Sequence, residues 1–206
     1  MLKKEHEILK AFIEKPWQKF TFKEIKTLAK KKSDSYVYNS MKRFVKEKIL
    51  SRERAGNVVL YYLNLACAKS QVYAGMAAEH IAWNKRHIPY ADLNGMLSKI
   101  PANFFTLIVT GSYASNKQSA ESDIDVVIIC DSSANAQKIY AELRYSCEIN
   151  IPPIHLYVFK ESEFIEMLLD KKANYGKEIA KNNLILYGSE VYFKIIAEAI
   201  KNGFNG

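Results

Sequence analysis

Two apolar runs separated by a glycine-serine step and a pair of acids constrain this chain more than any other feature. Residues 104–110 read FFTLIVT and residues 123–130 read DIDVVIIC. Both are rich enough in β-branched and aromatic side chains to predict buried strands. Gly111-Ser112 closes the first run, and a short polar stretch leads into the second, which opens on Asp123 and Asp125. Side chains at i and i+2 share one face of a strand. Asp123 and Asp125 therefore point one way, and Ile124, Val126 and Ile128 point the other way, into packing. Two neighbouring carboxylates repel unless positive charge lies between them. A divalent ion meets that need, and Mg2+ binds through one or two carboxylates plus substrate phosphates. Gly111 lets backbone come close to a phosphate. Ser112 can donate its hydroxyl, and the N–H groups around it can form an anion nest.

The N-terminal region has a different pattern. KEHEILKAFIEK (4–15) sets Ile8, Leu9, Phe12 and Ile13 on one helical face, and Pro16 stops that helix. In FTFKEIKTLAKK, Thr21 caps a second helix and Glu24 completes a capping box. Phe22, Ile25, Leu28 and Ala29 form its inner face. Ser33 or Asp34 caps a third helix over about 35–48. The period then changes: ILSRERAGNVVLYYLN (49–64) predicts a hairpin turning at Gly56-Asn57. Three short helices and a hairpin resemble a winged helix-turn-helix domain, here residues 1–65. The resemblance implies a recognition helix at 35–48 that enters the major groove of duplex DNA. Its outward residues are Ser35, Tyr36, Tyr38, Asn39, Lys42 and Arg43. The wing carries Arg52 and Arg54, and Lys30, Lys31 and Lys32 contact phosphate.

Charge is spread unevenly in the same sense. Residues 1–100 hold 20 Lys/Arg against 9 Asp/Glu, whereas residues 101–206 hold 10 against 13, for a net charge of +8. The positive half favours an anionic partner, nucleic acid first. Cys67, Cys130 and Cys147 lack zinc-ligand spacing, and their odd number argues against a disulfide framework. No stretch has the apolar length of a secretory signal or a membrane span. A cytoplasmic protein with no membrane contact is expected.

An Ala-rich connecting helix is expected over residues 66–89, containing Gly75 and stopped by Pro89. Beyond it come a short helix at 90–100, the two strands above, and a helix at 134–145. A strand at 154–159 (IHLYVF) and helices at 161–171, 175–184 and 189–202 complete the chain.

The segment GSYASNKQSAESDIDVVI resembles the nucleotidyltransferase superfamily that includes DNA polymerase beta. Within it the segment is similar to the minimal prokaryotic nucleotidyltransferase-domain proteins, whose pattern is Gly-Ser-x-Ala-Arg-Gly, a spacer, then Ser-Asp-Ile-Asp and an aliphatic residue. Gly111, Ser112 and Ala114 match its first part; Ser122, Asp123, Ile124 and Asp125 match its second. The resemblance implies an α+β fold: the winged helix-turn-helix, then a nucleotidyltransferase-like mixed sheet with flanking helices over residues 90–206. It implies that Gly111, Ser112 and Ser122 hold a nucleoside triphosphate (NTP) and that Asp123 and Asp125 bind metal, with Mg2+ as the cofactor. Such domains work beside a small helical partner protein. GKEIAKNNLILYGSEVYFKII resembles the tail of the same proteins, where Tyr175 and Lys177 would approach the nucleotide.

The departures are specific. The family's arginine is Ser115 and its second glycine is Asn116; Lys117 is the nearest replacement cation, a point charge without the guanidinium fork. The third acid belongs on the 154–159 strand, which offers His155 and Tyr157 but no carboxylate. Glu148 and Glu161 flank that strand without entering it. His155 can accept a proton in catalysis but is a poor ligand for a hard ion such as Mg2+. Two functions therefore compete. One is a Mg2+-dependent nucleotidyltransferase that moves NMP from NTP onto a hydroxyl and is coupled to DNA binding. The other is a DNA-binding regulator whose nucleotidyltransferase-like domain is catalytically impaired and senses nucleotide or aids assembly. A regulator that reads palindromic DNA is expected to be a homodimer.

Overall fold

The computed structural model describes residues 5–206. The first helix, α1 (His6–Glu14), buries Ile8, Leu9, Ala11, Phe12 and Ile13 on its inner face and ends before Pro16. A two-residue strand, β1 (Phe20–Thr21), leads directly into α2 (Phe22–Leu28). The capping box forms: Thr21 Oγ1 accepts from the Glu24 backbone at 3.3 Å, and Glu24 returns a carboxylate oxygen to the Thr21 N–H at 2.7 Å. The Thr21 N–H and the Thr21 hydroxyl, which donates to the same carboxylate at 2.8 Å, hold the Glu24 carboxyl below its ordinary range. The inner face of α2 is narrower than its periodicity predicts. The helix has seven residues and buries only Ile25, while Leu28, in its last turn, is 49% exposed.

Ser33 caps α3 (Asp34–Lys46), accepting from the Tyr36 N–H at 3.2 Å. Strands β2 (Leu50–Ala55) and β3 (Val58–Leu63) form the hairpin, with Ala55 opposite Val58 across the Gly56-Asn57 turn. β1 adds to the far side of β3, giving a three-stranded antiparallel sheet in the order β1-β3-β2. β1 is too short to show a period, so the sequence gives no signal for it.

The long helix α4 (Ala68–Trp83) is built on small residues: Ser70, Ala74, Gly75, Ala77, Ala78 and Ala82 are buried. Small side chains let neighbouring backbones approach closely, and α4 packs against both α1 and the C-terminal helix. The buried Ser70 hydroxyl donates to the Ile49 carbonyl at 2.7 Å, tying α4 to the start of β2.

After α5 (Tyr90–Leu97) come β4 (Phe105–Val109), a one-turn helix α6 (Gly111–Ala114), β5 (Ile124–Cys130) and α7 (Ala136–Glu148). The chain closes with β6 (Ile154–Lys160), α8 (Glu161–Leu169), α9 (Tyr175–Lys181), β7 (Leu184–Tyr187) and α10 (Ser189–Lys201). The second sheet has the order β6-β5-β4-β7. β4 is antiparallel to both β5 and β7, and β5 is parallel to β6, so the sheet is mixed. The architecture is α+β.

Both sheet faces are covered, which explains why β5 reads as a continuous apolar run rather than an alternating one. Leu107, Val109, Val126 and Ile128 join a cluster with α5 and α7. Ile108, Val127, Ile129 and Ile185 join a second cluster that continues through α4 and α10 to α1 and α3. Among the described residues no helix is long and apolar enough to cross a membrane.

Gly188 joins β7 to α10 with φ at +69°, and a Cβ there would lie 2.1 Å from the Phe105 carbonyl oxygen. Its own carbonyl accepts from Thr106 Oγ1 at 2.9 Å. Gly188→Ala combines left-handed backbone strain with a backbone clash, and is expected to cost about 2–4 kcal/mol. Equilibrium urea denaturation measures the loss; an unchanged midpoint would contradict this packing.

Candidate functional site

The site forms where β4 ends and β5 and β6 begin. The ladder pairs Val109 with Val126, and the Thr110 N–H continues it by donating to the Asp125 carbonyl at 2.9 Å. This bond brings the Gly111 turn against Asp125. Gly111 has φ at +64°, and a Cβ at that position would lie 2.0 Å from Asp125 Oδ2. Residue 111 thus has room for no side chain, because the carboxylate occupies that space.

Asn182 fixes the same turn from the other side. Its amide donates to the Gly111 carbonyl at 2.8 Å, and its carbonyl accepts from Thr110 Oγ1 at 2.6 Å. The sequence reading missed Asn182. Its signal is the polar pair Asn182-Asn183 between the buried runs of α9 and β7.

The α6 turn ends in a Schellman arrangement. The Lys117 N–H donates to the Ser112 carbonyl at 2.9 Å, and the Asn116 N–H donates to Tyr113 at 3.3 Å. Asn116 takes φ of 56° there. Asparagine tolerates this left-handed conformation, so its replacement of glycine preserves the backbone. Ser115 spends its hydroxyl on the Gly111 and Ser112 carbonyls at 3.0 and 3.2 Å, and supplies no charge. Lys117 is exposed. Ser122 accepts from the Ser119 N–H at 2.9 Å and so braces the loop that delivers Asp123.

Asp125 and His155 are direct partners in the parallel β5–β6 ladder. His155 Nδ1 lies 3.5 Å from Asp125 Oδ1 and 3.8 Å from Asp123 Oδ2. Asp123 precedes the first residue of β5, so it belongs to the entering loop. Asp123, Asp125 and His155 are the one group among the described residues able to offer three ligand atoms within 4.8 Å of one another. Glu148 does not join it; at the end of α7 it pairs with Arg144 at 2.6 Å. Glu161 begins α8, at the opposite end of β6.

Burial pushes the Asp125 carboxyl up from its ordinary value, the Asp123 charge adds to the rise, and His155 opposes it. Beside the acids, the His155 ring packs on Tyr157 at 4.6 Å, and Tyr157 packs on Tyr175 at 4.6 Å. The Tyr175 hydroxyl is buried beside Tyr157. Burial, with Tyr157 and Asp125 beside it, drives its pKa upward. The Lys177 amine turns away from this face to the Asp170 carbonyl.

On the N-terminal elements, Tyr38, Asn39, Lys42, Arg52 and Arg54 are exposed, whereas Tyr36 is half-buried against the core. Arg43 is engaged by Glu5 and by Glu47.

Residues 98–189 match the family described as Nucleotidyltransferase domain. Comparison with curated proteins and with solved structures gave no match. The match begins just after α5 and ends at the first residue of α10, so it contains the whole mixed sheet and all three residues of the cluster. The chain thus contains a nucleotidyltransferase domain with a candidate metal cluster that lacks the third carboxylate.

A carboxylate whose pKa is raised by folding destabilises the folded state wherever it is ionised. Asp125→Asn is therefore expected to stabilise the protein in chelator at pH 7. The gain should vanish as pH falls below the unfolded carboxylate value of about 3.9, where Asp125 is itself neutral. Thermal melts of both proteins across pH check the sign.

Proposed function

We propose that residues 98–189 transfer NMP from a Mg2+-bound NTP to a hydroxyl acceptor, and that the N-terminal elements bring this domain to duplex DNA. The observation that carries the proposal is the contact between the Gly111 turn and the Asp125 carboxylate. The Gly111-Ser112 backbone and the Ser112 hydroxyl are positioned to take phosphate oxygens. Asp123 and Asp125 stand beside them, where repulsion between the acids favours a cation. A divalent ion held there would neutralise charge on the phosphates. His155 sits 3.5 Å from Asp125 and exposed to solvent, within reach of an acceptor's proton. Lys117, on the exposed loop after α6, is the nearest candidate cation for the leaving phosphates.

Incubation with labelled NTPs, Mg2+ and candidate acceptors tests the transfer. Label should move onto an acceptor or onto the protein itself, and should stop in the Asp123→Ala/Asp125→Ala double variant. Tight metal-dependent NTP binding with no transfer would replace this reading with nucleotide sensing.

A second reading, a DNA-binding regulator, has its own support. The element order helix, strand, two helices and hairpin is that of a winged helix-turn-helix. α3 exposes Tyr38, Asn39 and Lys42, and β2 exposes Arg52 and Arg54. We assign duplex DNA to this face, a homodimer to the reading of palindromic sites, and a small helical protein as a further partner. These assignments place the chain in the cytoplasm, where DNA and NTPs are available. Arg52→Ala/Arg54→Ala should weaken duplex binding and reduce the log K against log salt slope by about 1–2 units. Fluorescence anisotropy at several salt concentrations measures both; no binding at low salt would remove DNA from the proposal.

A further inference from the structure

The donor set at the head of β5 and β6 differs from one made of three carboxylates. Its third donor is an imidazole nitrogen, His155 Nδ1, which faces both acids at 3.5 and 3.8 Å. β6 places the ring there by pairing His155 with Asp125, and Tyr157 steadies it with its ring at 4.6 Å and its hydroxyl 3.3 Å from Nδ1.

The geometry points to a resident divalent ion of the nitrogen-accepting class, Zn2+ or Co2+ type, held by Asp123, Asp125 and His155. Mg2+ then enters only with the triphosphate. The inference rests on the proposed nucleotidyltransferase reading, specifies its metal, and gives His155 to the metal in place of the acceptor's proton. Two independent features carry it.

The first is donor chemistry. Imidazole suits zinc-like ions, whereas Mg2+ takes oxygen and sheds water reluctantly. A carboxylate at 155 would serve Mg2+ better, and the chain instead holds a histidine 54% exposed, without a structural partner other than Tyr157 and the two acids. The second is spacing. Adjacent ligands of an octahedral Mg2+ lie about 2.9 Å apart, given its bond length near 2.0–2.1 Å. Ligands of a tetrahedral zinc ion lie about 3.4 Å apart, given bonds near 2.1 Å. The 3.5 Å from His155 Nδ1 to Asp125 Oδ1 and the 3.8 Å to Asp123 Oδ2 both exceed the octahedral spacing and lie nearer the wider one. Three protein ligands leave one position open, as in catalytic rather than structural zinc sites. A phosphate oxygen or an acceptor hydroxyl can take that position. The three cysteines lie elsewhere: Cys130 and Cys147 are buried in the sheet–α7 core, and Cys67 precedes α4.

Co2+ is the probe, because it substitutes for zinc and is visible optically and by NMR. The full chain, stripped with chelator, is titrated with CoCl2 and then challenged with excess MgCl2. The expected result is one Co2+ per chain, with visible absorption of a four- or five-coordinate ion. A far-shifted exchangeable imidazole N–H resonance should accompany it, and both should survive Mg2+. In His155→Asp that resonance should disappear, and the preference for Co2+ over Mg2+ should fall about tenfold or more. Circular dichroism confirms that the variant is folded. The wild-type resonance is itself a readout that does not depend on the variant. Absorption without an imidazole resonance, or an unchanged preference in His155→Asp, would overturn the assignment. No uptake of Co2+ would also overturn it, leaving His155 as a neighbour of the two acids with no ion between them. Mg2+-supported transfer without the imidazole signature would leave the enzymatic reading standing and remove this one; the signature without transfer would do the reverse.

Discussion

The Asp125 carboxylate fills the space that a side chain at Gly111 would need, and the rest of the site follows from that contact. It requires glycine at 111 twice over, for a φ of +64° and for the absence of a Cβ. It also fixes how far the α6 turn can sit from β5. The Thr110–Asp125 backbone bond and the two Asn182 bonds hold the turn to that distance. A phosphate-type turn and a pair of acids are common separately. Here each sets the position of the other, and burial, with the Asp123 charge beside it, makes ionised Asp125 a local cost that a bound cation would relieve.

That corner is stiff because the sheet beneath it is covered on both faces, and the cover on one face belongs to the N-terminal elements as well. α4 makes this possible. Its row of Ala, Gly and Ser side chains lets both α1 and α10 approach, and one apolar cluster runs from Phe12 and Phe44 to Phe193 and Ile196. Glu79, on α4, accepts from the N-terminus of α10 at 3.0 Å. Displacement of α1 or α3 would therefore be felt through α4 at the sheet that carries the acids. This gives a physical route from the basic N-terminal face to the proposed nucleotide site.

The helix and strand succession was legible because the periods are clean: α1 repeats every three to four residues, and β4 and β5 are continuous apolar runs bounded by polar loops. Asp125 and the glycine were legible for the same reason, whereas Asp123, expected on the same strand face, lies one residue before β5 and reaches His155 from the entering loop. Three features were hidden. β1 is two residues long and exists only because β3 offers it an edge. Leu28 follows the helical period of α2 yet lies outside the core, because the helix stops before its last turn can be covered. Asn182 acts across more than 70 residues of sequence, and the role of His155 depends on the β5–β6 register, which no local pattern encodes. The substitution of Asn116 for glycine read as a loss from the motif; the backbone shows it keeps the left-handed turn and its Schellman bonds.

The central claim is that the Gly111-Ser112 turn and the Asp123/Asp125 pair form one triphosphate-and-metal corner. A crystal structure of the full chain soaked with a non-hydrolysable NTP and divalent metal tests it most directly. The account predicts phosphate oxygens on the N–H groups around Gly111 and Ser112, and an ion shared between those oxygens and both carboxylates. A triphosphate bound away from that turn, or bound there with no ion on Asp123 and Asp125, would contradict it.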